Sequence, residues 1–471
     1  MMNIEEFREN AHKTVDWIAD FYENIEELPV KPDVQPYEIF NDLNQDPPDQ
    51  PESFYDIFKD FNDKILPGIT HWQHPKFFAY FPANASFPSI IAEMLTSAIA
   101  AQCMSWITSP AATELEELVM KWLGNMTGMP EEFEGVIQDT ASTSTLCSIL
   151  TAREKATEYL INKKGFDNSK FKVYCSEEAH SSVEKAVKIA GIGKENIRKI
   201  PTDQDFSMKT GELEKWILSD LNNEYKPLCV VGTIGTTSST AVDPIKEIGE
   251  ICKKYDIWFH VDAAYAGTAM ILPGMRHHLE GIENVDTNVF NPHKWMFTNF
   301  DCSAYFVKDK AALIKTFDIL PEYLKTDLDS KVNNYRDWGI QLGRRFRALK
   351  LWFVIRSYGV EGIRDTIRKH LAYGKIMKKH LDDDPAFEIL APVLFNLICF
   401  RFNPGNKNEE ELAEINKELL SSINSSGKAF LTHTKLKGKY AIRFVAGNTH
   451  LQERHIREAW DLIKSESLKF I

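Results

Sequence analysis

The chain of 471 residues has room for two or three domains, and its 43% hydrophobic and 11% aromatic content can fill their cores. The formal net charge of −13 excludes the basic footprint that nucleic-acid binding wants; it is spread along the chain and serves solubility. No run of eighteen apolar residues is present, the start "MMNIEEFREN" has no apolar secretory segment, and the seven cysteines sit in apolar runs such as "PLCVVG" without a CxxC pair. These features predict a cytoplasmic protein with no membrane span, whose cysteines are core residues.

In chain order, Ile4, Phe7, Ala11, Val15, Ile18, Tyr22 and Ile25 step by three or four and predict an amphipathic helix. The proline-spaced stretch "ELPVKPDVQPYEIFNDLNQDPPDQPESF" that follows predicts an extended connector. A lone helix before such a connector must lie on its own domain or on a partner subunit. From about residue 85 to 310, strands and helices alternate. "FKVYCS", "PLCVVGTIGT", "IWFHVDAAY", "DTNVFN" and "CSAYFVK" read as strands, "SSVEKAVKIAGI" and "PIKEIGEICKKY" as helices, the latter opened by a proline in its first turn. That alternation predicts βαβ units and an α/β sheet with ligands at the carboxyl ends of its strands. "FNLICFRFNP" and "KYAIRFVAG", with charged helices between them, predict a smaller C-terminal α+β domain. The expected division is 1–84, 85–355 and 356–471.

The strand-end rule gathers His180, Thr236, Thr237, Asp262 and the run "NPHK" in one place. Lys294 follows a proline turn and precedes Trp295, Met296 and Phe297. An amine so enclosed loses stability in its charged form and becomes available to form a Schiff base with an aldehyde; a lysine in general is more often a surface charge whose stem lies on apolar neighbours. Asp262 ends an apolar strand, where a carboxylate needs a partner: a structural cation, or a protonated ring nitrogen. The hydroxyl-rich run Thr140–Thr145 at a helix start is an N-cap or, together with the helix dipole, a phosphate seat. His180, between strand and helix, is a helix-start hydrogen-bonding residue or a plate stacked on a cofactor ring. Lysine, aspartate, hydroxyls and imidazole together match the handles of pyridoxal 5'-phosphate. His71 and His74, or His277 and His278, have no accompanying carboxylate or cysteine cluster, and no metal site is expected.

The runs "HWQHPKFFAYFPANASFPSIIAEML", "SPAATELEELVMKWLG", "AHSSVEKA", "GTTSS", "HVDAAYAG", "NPHKWMFTNFDCSA" and "LGRRFRALKLWFV" closely resemble the pyridoxal-phosphate-dependent aromatic L-amino-acid decarboxylases of the group II decarboxylase family, over about residues 70 to 360. The resemblance implies the aspartate-aminotransferase-type fold (fold type I): an N-terminal helical segment, a large α/β domain with a mainly parallel sheet, and a small C-terminal α+β domain. It implies a homodimer with the N-terminal helix on the partner and active sites at the subunit interface. By motif, Lys294 is similar to the Schiff-base lysine, Asp262 to the partner of the pyridine nitrogen and His180 to the ring-stacking histidine. Ala141, Ser142, Asn291 and His293 match phosphate-side positions, and Thr237 a position beside cofactor and substrate. Tyr335, in the polar stretch "LKTDLDSKVNNYRDWG", is similar to a mobile-loop tyrosine that reprotonates the substrate carbon. Trp72, Tyr80, Phe81, Pro82, Ala83 and Met104 match substrate-pocket positions. The activity implied is decarboxylation of a tryptophan, tyrosine, phenylalanine or dihydroxyphenylalanine type of amino acid; the alternatives are an aromatic aldehyde synthase or an aminotransferase. This chain departs from the pattern at Asp139-Thr140, where animal members commonly have Gly-Ser, at Cys103-Met104, where many have Gly and Phe, and at Ala83, where some have Thr.

Overall fold

A computed structural model describes residues 2–166, 169–319 and 331–470. The chain divides into two units: residues 1–82, 376–390 and 400–471 form one, residues 83–375 and 391–399 the other. No helix among the described residues is long and apolar enough to cross a membrane.

The larger unit is built on a sheet of seven strands, β1 (Glu134–Gln138), β2 (Phe171–Ser176), β3 (Ile197–Ile200), β4 (Lys226–Thr233), β5 (Trp258–Asp262), β6 (Thr287–Phe290) and β7 (Ser303–Val307), in the order β1-β7-β6-β5-β4-β2-β3. Strands β3, β2, β4, β5 and β6 run parallel, as the alternation of strands and helices requires. Strand β7 runs antiparallel to both β6 and β1. Only residues 291–302 connect β6 to β7, with a four-residue helix, Pro292–Trp295, among them. That is too little chain for a full helical crossover, so the chain turns back beside β6.

The smaller unit contains helix α1 (Ile4–Glu23), capped by Asn3 and Glu6 in a capping box. None of its residues is buried, and Ile4, Phe7 and Val15 are exposed. Its C-terminal half is partly covered: Trp17 stacks on Phe21, meets Phe58 and Phe61 edge-on, and donates its Nε1–H to Asn62 at 2.8 Å. In the larger unit come α2 (Phe87–Ile99), α3 (Pro110–Thr127), α4 (Ala141–Ala156), α5 (Ser182–Ile189) and α6 (Ile245–Tyr255). Pro244 is the N-cap of α6 rather than a residue of its first turn. Leu146 and Ile149 of α4, Val183 and Val187 of α5, Val173 and Cys175 of β2, and Cys229 and Val231 of β4 share one core cluster. All seven cysteines are buried and none forms a disulfide, in keeping with their apolar sequence runs. Helix α7 (Arg347–Asp382) is broken at Gly359, whose φ of +64° is a left-handed value that favours glycine. A four-stranded sheet of β8 (Phe387–Ile389), β9 (Leu397–Phe402), β10 (Thr432–Leu436) and β11 (Lys439–Val445), ordered β10-β11-β9-β8, accompanies α8 (Glu409–Ser425) and α9 (Glu453–Ser467).

Candidate active site

Strand β6 ends at Phe290, and the next five residues form the turn that carries Lys294. Asn291 N–H donates to the carbonyl of Ala264 at 3.0 Å, which ties the turn to the end of β5. Pro292 opens the single-turn helix. Asn84 holds the turn from outside: its backbone N–H donates to the His293 carbonyl at 3.1 Å and its Nδ2 to the Lys294 carbonyl at 2.6 Å. Trp295, fully buried, stacks on Tyr265 with ring centroids 4.8 Å apart and donates Nε1–H to His370 Nδ1 at 2.9 Å. The lysine side chain is therefore held on a rigid base. Burial pushes its amine below the usual lysine value, and the charge of Asp262 opposes that shift. The result favours a nucleophilic free amine.

Asp262 is the last residue of β5, with Thr233 of β4 on one side and Val289 of β6 on the other. It is 5% exposed, and its Oδ1 accepts the Ala264 N–H at 3.0 Å. His180 follows β2. Its Nδ1 accepts the Ser182 backbone N–H at 3.2 Å and lies 2.9 Å from Ser182 Oγ. A ring nitrogen that accepts a backbone N–H carries no proton, so the neutral ring bears its hydrogen on Nε2. Burial lowers the His180 pKa; Asp262 opposes the shift and Lys294 adds to it. Lysine, carboxylate and imidazole thus share one electrostatic neighbourhood.

Thr140 is the N-cap of α4, and its Oγ1 accepts the Thr143 N–H at 3.5 Å. Ala141 and Ser142 begin the helix, Ser142 with its side chain exposed. Asn291 Oδ1 accepts from Ser303 Oγ at 2.7 Å, which leaves its amide N–H groups as donors. His293 Nδ1 accepts the Cys302 N–H at 2.9 Å, so its Nε2 carries the hydrogen. Burial, with help from Lys294, pushes the His293 pKa down to about 3. These are neutral hydrogen-bond donors beside a helix N-terminus, the chemistry that holds a phosphate. A buried carboxylate for a ring nitrogen and a desolvated amine for an aldehyde complete a set that fits pyridoxal phosphate. Thr237 projects, exposed, from the tight loop after β4. Thr236 N–H and Gly235 N–H both donate to the Ala241 carbonyl there, and at Gly235 (φ +87°) an added Cβ would meet the Ala266 Cβ at 2.6 Å.

Tyr335 is buried, 2% exposed. Its ring packs in an apolar group with Val136, Ala141, Cys147, Val289, Tyr305 and Trp338, under the Arg344 guanidinium at 4.9 Å. Burial, followed by Glu116 and Glu117, raises its pKa well above 10. A tyrosine in a polar stretch reads as a lid residue; here its ring is buried among apolar neighbours. Residues 320–330 of that stretch lie outside the described residues. Met104 holds the neighbouring segment, its carbonyl accepting the Arg336 N–H at 2.8 Å. Ala83 belongs to the same unit as Lys294; Trp72, Tyr80, Phe81 and Pro82 belong to the other. There Trp72 and Tyr80 stack at 5.5 Å, and Arg443 lies 5.4 Å from the Phe81 ring.

Two residues escaped the reading of the sequence. Asn84, in "FPANAS", gives no signal there. His260 had one: it stands two positions before Asp262 on the same strand, hence on the same face.

Residues 36–403 match the family model described as the pyridoxal-dependent decarboxylase conserved domain. A tyrosine decarboxylase of Petroselinum crispum is 44% identical over 98% of this chain and 93% of its own. A phenylacetaldehyde synthase of Arabidopsis thaliana is 42% identical over 99% and 96%. The crystal structure of Oryza sativa TDC with PLP and tryptamine superposes with a TM-score of 0.96 at 36% identity, covering 100% of this chain and 99% of that one. By the length of these matches, and by the lysine, carboxylate and imidazole that the strand ends bring together, the chain belongs to the pyridoxal-dependent decarboxylases.

Proposed function

We propose that the protein removes the carboxylate of an aromatic L-amino acid as carbon dioxide and releases the corresponding amine. The observation that carries this reading is the shared neighbourhood of Lys294, Asp262 and His180, set beside the tyrosine decarboxylase likeness. Bound pyridoxal phosphate supplies an aldehyde for covalent attachment and a ring that draws electrons from the substrate carbon. Lys294 offers the amine that holds this aldehyde between turnovers. Asp262, as a carboxylate, would accept a hydrogen bond from the protonated ring nitrogen and so keep the ring cationic and electron-poor. Ala141, Ser142, Asn291 and His293 hold the phosphate, His180 covers the ring, and Thr237 lies beside the substrate. Trp72, Tyr80, Phe81, Pro82, Ala83 and Met104 are proposed to receive the aromatic side chain; the Trp72–Tyr80 stack supports an aromatic ligand.

After carbon dioxide leaves, the substrate carbon needs a proton. Tyr335 would have to quit its apolar cluster to supply one, losing burial worth about 1.5–3 kcal/mol. A loop movement can meet a cost of that size, and Tyr335, acting with His180 Nε2–H, is the proposed donor. The alternative reading is oxidative: carbon dioxide, ammonia and peroxide leave, and oxygen and water are consumed to give an aldehyde. The phenylacetaldehyde synthase likeness motivates it; Tyr335, typically replaced by phenylalanine in plant enzymes of that type, and His180, replaced by asparagine in insect ones, speak against it. A homodimer is proposed as well, supported by the unburied α1 and by the exposed Phe87, Ile91 and Ile99 of α2.

Lys294→Ala should abolish both turnover and the borohydride-reducible link to the cofactor; a variant that keeps full activity overturns the assignment. Measuring amine beside peroxide across tryptophan, tyrosine, phenylalanine and dihydroxyphenylalanine decides the route and the substrate.

A further inference from the structure

A chain of buried polar groups runs beneath Asp262. Trp258, His260 and Asp262 alternate along β5, so all three point to one face of the sheet. Trp258 Nε1–H donates to Ser148 Oγ at 2.9 Å. Ser148 Oγ lies 2.7 Å from Thr287 Oγ1, Thr287 Oγ1 lies 2.9 Å from His260 Nδ1, and His260 Nε2 lies 3.3 Å from Thr145 Oγ1. Thr145, Ser148, His260 and Thr287 are all 0% exposed. None of these groups touches solvent, and a buried polar chain of this kind rigidifies its surroundings only when every member is satisfied.

The direction of the chain follows from its start. An indole N–H can only donate, so Ser148 accepts there. If each hydroxyl passes its own hydrogen onward, Ser148 donates to Thr287, Thr287 to His260 Nδ1, and His260 Nε2–H to Thr145. Every member then has a partner, and His260 is neutral with its hydrogen facing α4. Burial holds it so, with its pKa down to about 4, and Asp262 is the first charge that opposes the shift.

The two ends of the chain matter to the cofactor. Thr145 and Ser148 lie on α4, about one and two turns below Ala141 and Ser142, which start the phosphate seat. His260 lies about 7 Å below Asp262 along the strand. We propose that His260 is a positioning residue for the cofactor: locked between Thr287 and Thr145, it fixes the ring-nitrogen carboxylate of β5 against the phosphate-bearing start of α4 and leaves the charge of Asp262 to the ring. This rests on the assignment of Asp262 to the ring nitrogen. A charged imidazole at this place would pair with Asp262 from below and draw the carboxylate away from the ring.

The test measures cofactor binding to the apoenzyme by fluorescence, with the visible band of the bound cofactor. His260→Leu should weaken binding at least tenfold and shift or dim that band. His260→Gln, which can still donate and accept, should restore binding to within threefold of the wild type. Binding within twofold of the wild type in His260→Leu, or equal impairment in the two variants, overturns the proposal. Should His260→Leu not fold, Thr145→Val removes one hydrogen bond at nearly constant volume; it should weaken binding three- to fivefold, and unchanged binding overturns the proposal. Asp262→Asn separates the two levels. If that variant leaves the band unaltered, the ring-nitrogen assignment falls and the proposal with it; if it alters the band while His260→Leu does not, only the role of His260 falls.

Discussion

Replacing Glu116 by glutamine is expected to cost about 3–5 kcal/mol of stability, the range for removing one partner of a buried ion pair. Glu116, on α3, is 2% exposed and Arg344 8%. The carboxylate accepts from Arg344 Nη2 at 2.6 Å and Nη1 at 3.1 Å, and from the Ile137 N–H of β1 at 2.8 Å. Arg344 also donates to the carbonyls of Ile137 at 2.8 Å and Cys103 at 3.4 Å. The pair therefore ties α3, β1, the Cys103–Met104 segment and the residues after Tyr335 together. Glutamine keeps one acceptor oxygen but turns an NH2 toward a guanidinium. Two charge-assisted hydrogen bonds are lost or inverted, each worth about 1.5–3 kcal/mol, which agrees with the range above. With a urea m-value of about 3 kcal/mol per M, the unfolding midpoint should fall by about 1–1.7 M. The double variant Glu116→Leu/Arg344→Met leaves no unpaired charge and should lose much less than the sum of its two single variants. A midpoint shift under roughly 0.3 M for Glu116→Gln, or strict additivity in the double variant, refutes the reasoning.

Tyr335→Phe, which removes the proposed proton donor, should cut amine production and divert product to aldehyde, ammonia and peroxide; a variant that still makes only amine at the normal rate removes Tyr335 from that role. Asp139, whose Oδ1 takes the Thr140 N–H at 2.6 Å, places a carboxylate at the start of α4. Asp139→Ser should tighten cofactor binding by about 1 kcal/mol, roughly fivefold, and an unchanged dissociation constant contradicts this. Burial lowers His260 to about 4 and His293 to about 3, so the unfolded chain takes up these protons first, near pH 6.5. Stability present above that pH is lost as pH falls toward 4, on the order of 3 kcal/mol per site. Urea midpoints at pH 7 and pH 5 check this, and a drop no smaller in His293→Asn than in the wild type removes that residue from the account. Phe87, Ile91, Met94, Leu95 and Ile99 expose one face of α2. Ile91→Glu with Ile99→Glu should convert a dimer to a monomer by light scattering, and an unaltered mass rules out this face as the interface.

The strand-end positions of Asp262, His180 and Lys294 were legible because one rule, that parallel strands deliver ligands at their carboxyl ends, acts on short runs of unmistakable polarity. "IWFHVD" and "DTNVFNPHK" each end an apolar strand on a residue that apolar burial alone would not place there. The buried position of Tyr335 was not legible. A polar stretch without apolar period does not reveal which of its aromatics turns inward, and this one fills the space beside β1 and β7. Strand β3, "IRKI", was missed because two adjacent cations interrupt its short apolar pattern, and it pairs with β2 alone. The reversal of β7 was hidden because strand pattern carries no direction; only the short link from β6 does.

The four residues assigned to the phosphate carry no positive charge: Ala141 and Ser142 offer a helix start, Asn291 an amide and His293 a neutral ring. An arginine could bind a phosphate more strongly, but a cation placed here would lie close to Lys294. Its field would act on an amine already pushed toward the free form by burial and opposed in that shift by Asp262. Neutral donors hold an anion without disturbing that balance. The interior that strips the proton from His293 is the one that frees the amine of Lys294, since the two are adjacent on a single buried turn. Desolvation therefore acts on two residues with one piece of structure: it lowers the pKa of the lysine and that of its neighbour, as the proposed roles of both require. The cluster from Asn291 to Trp295 works as a unit, and Asn84, which holds both His293 and Lys294 by their carbonyls, fixes the two in register.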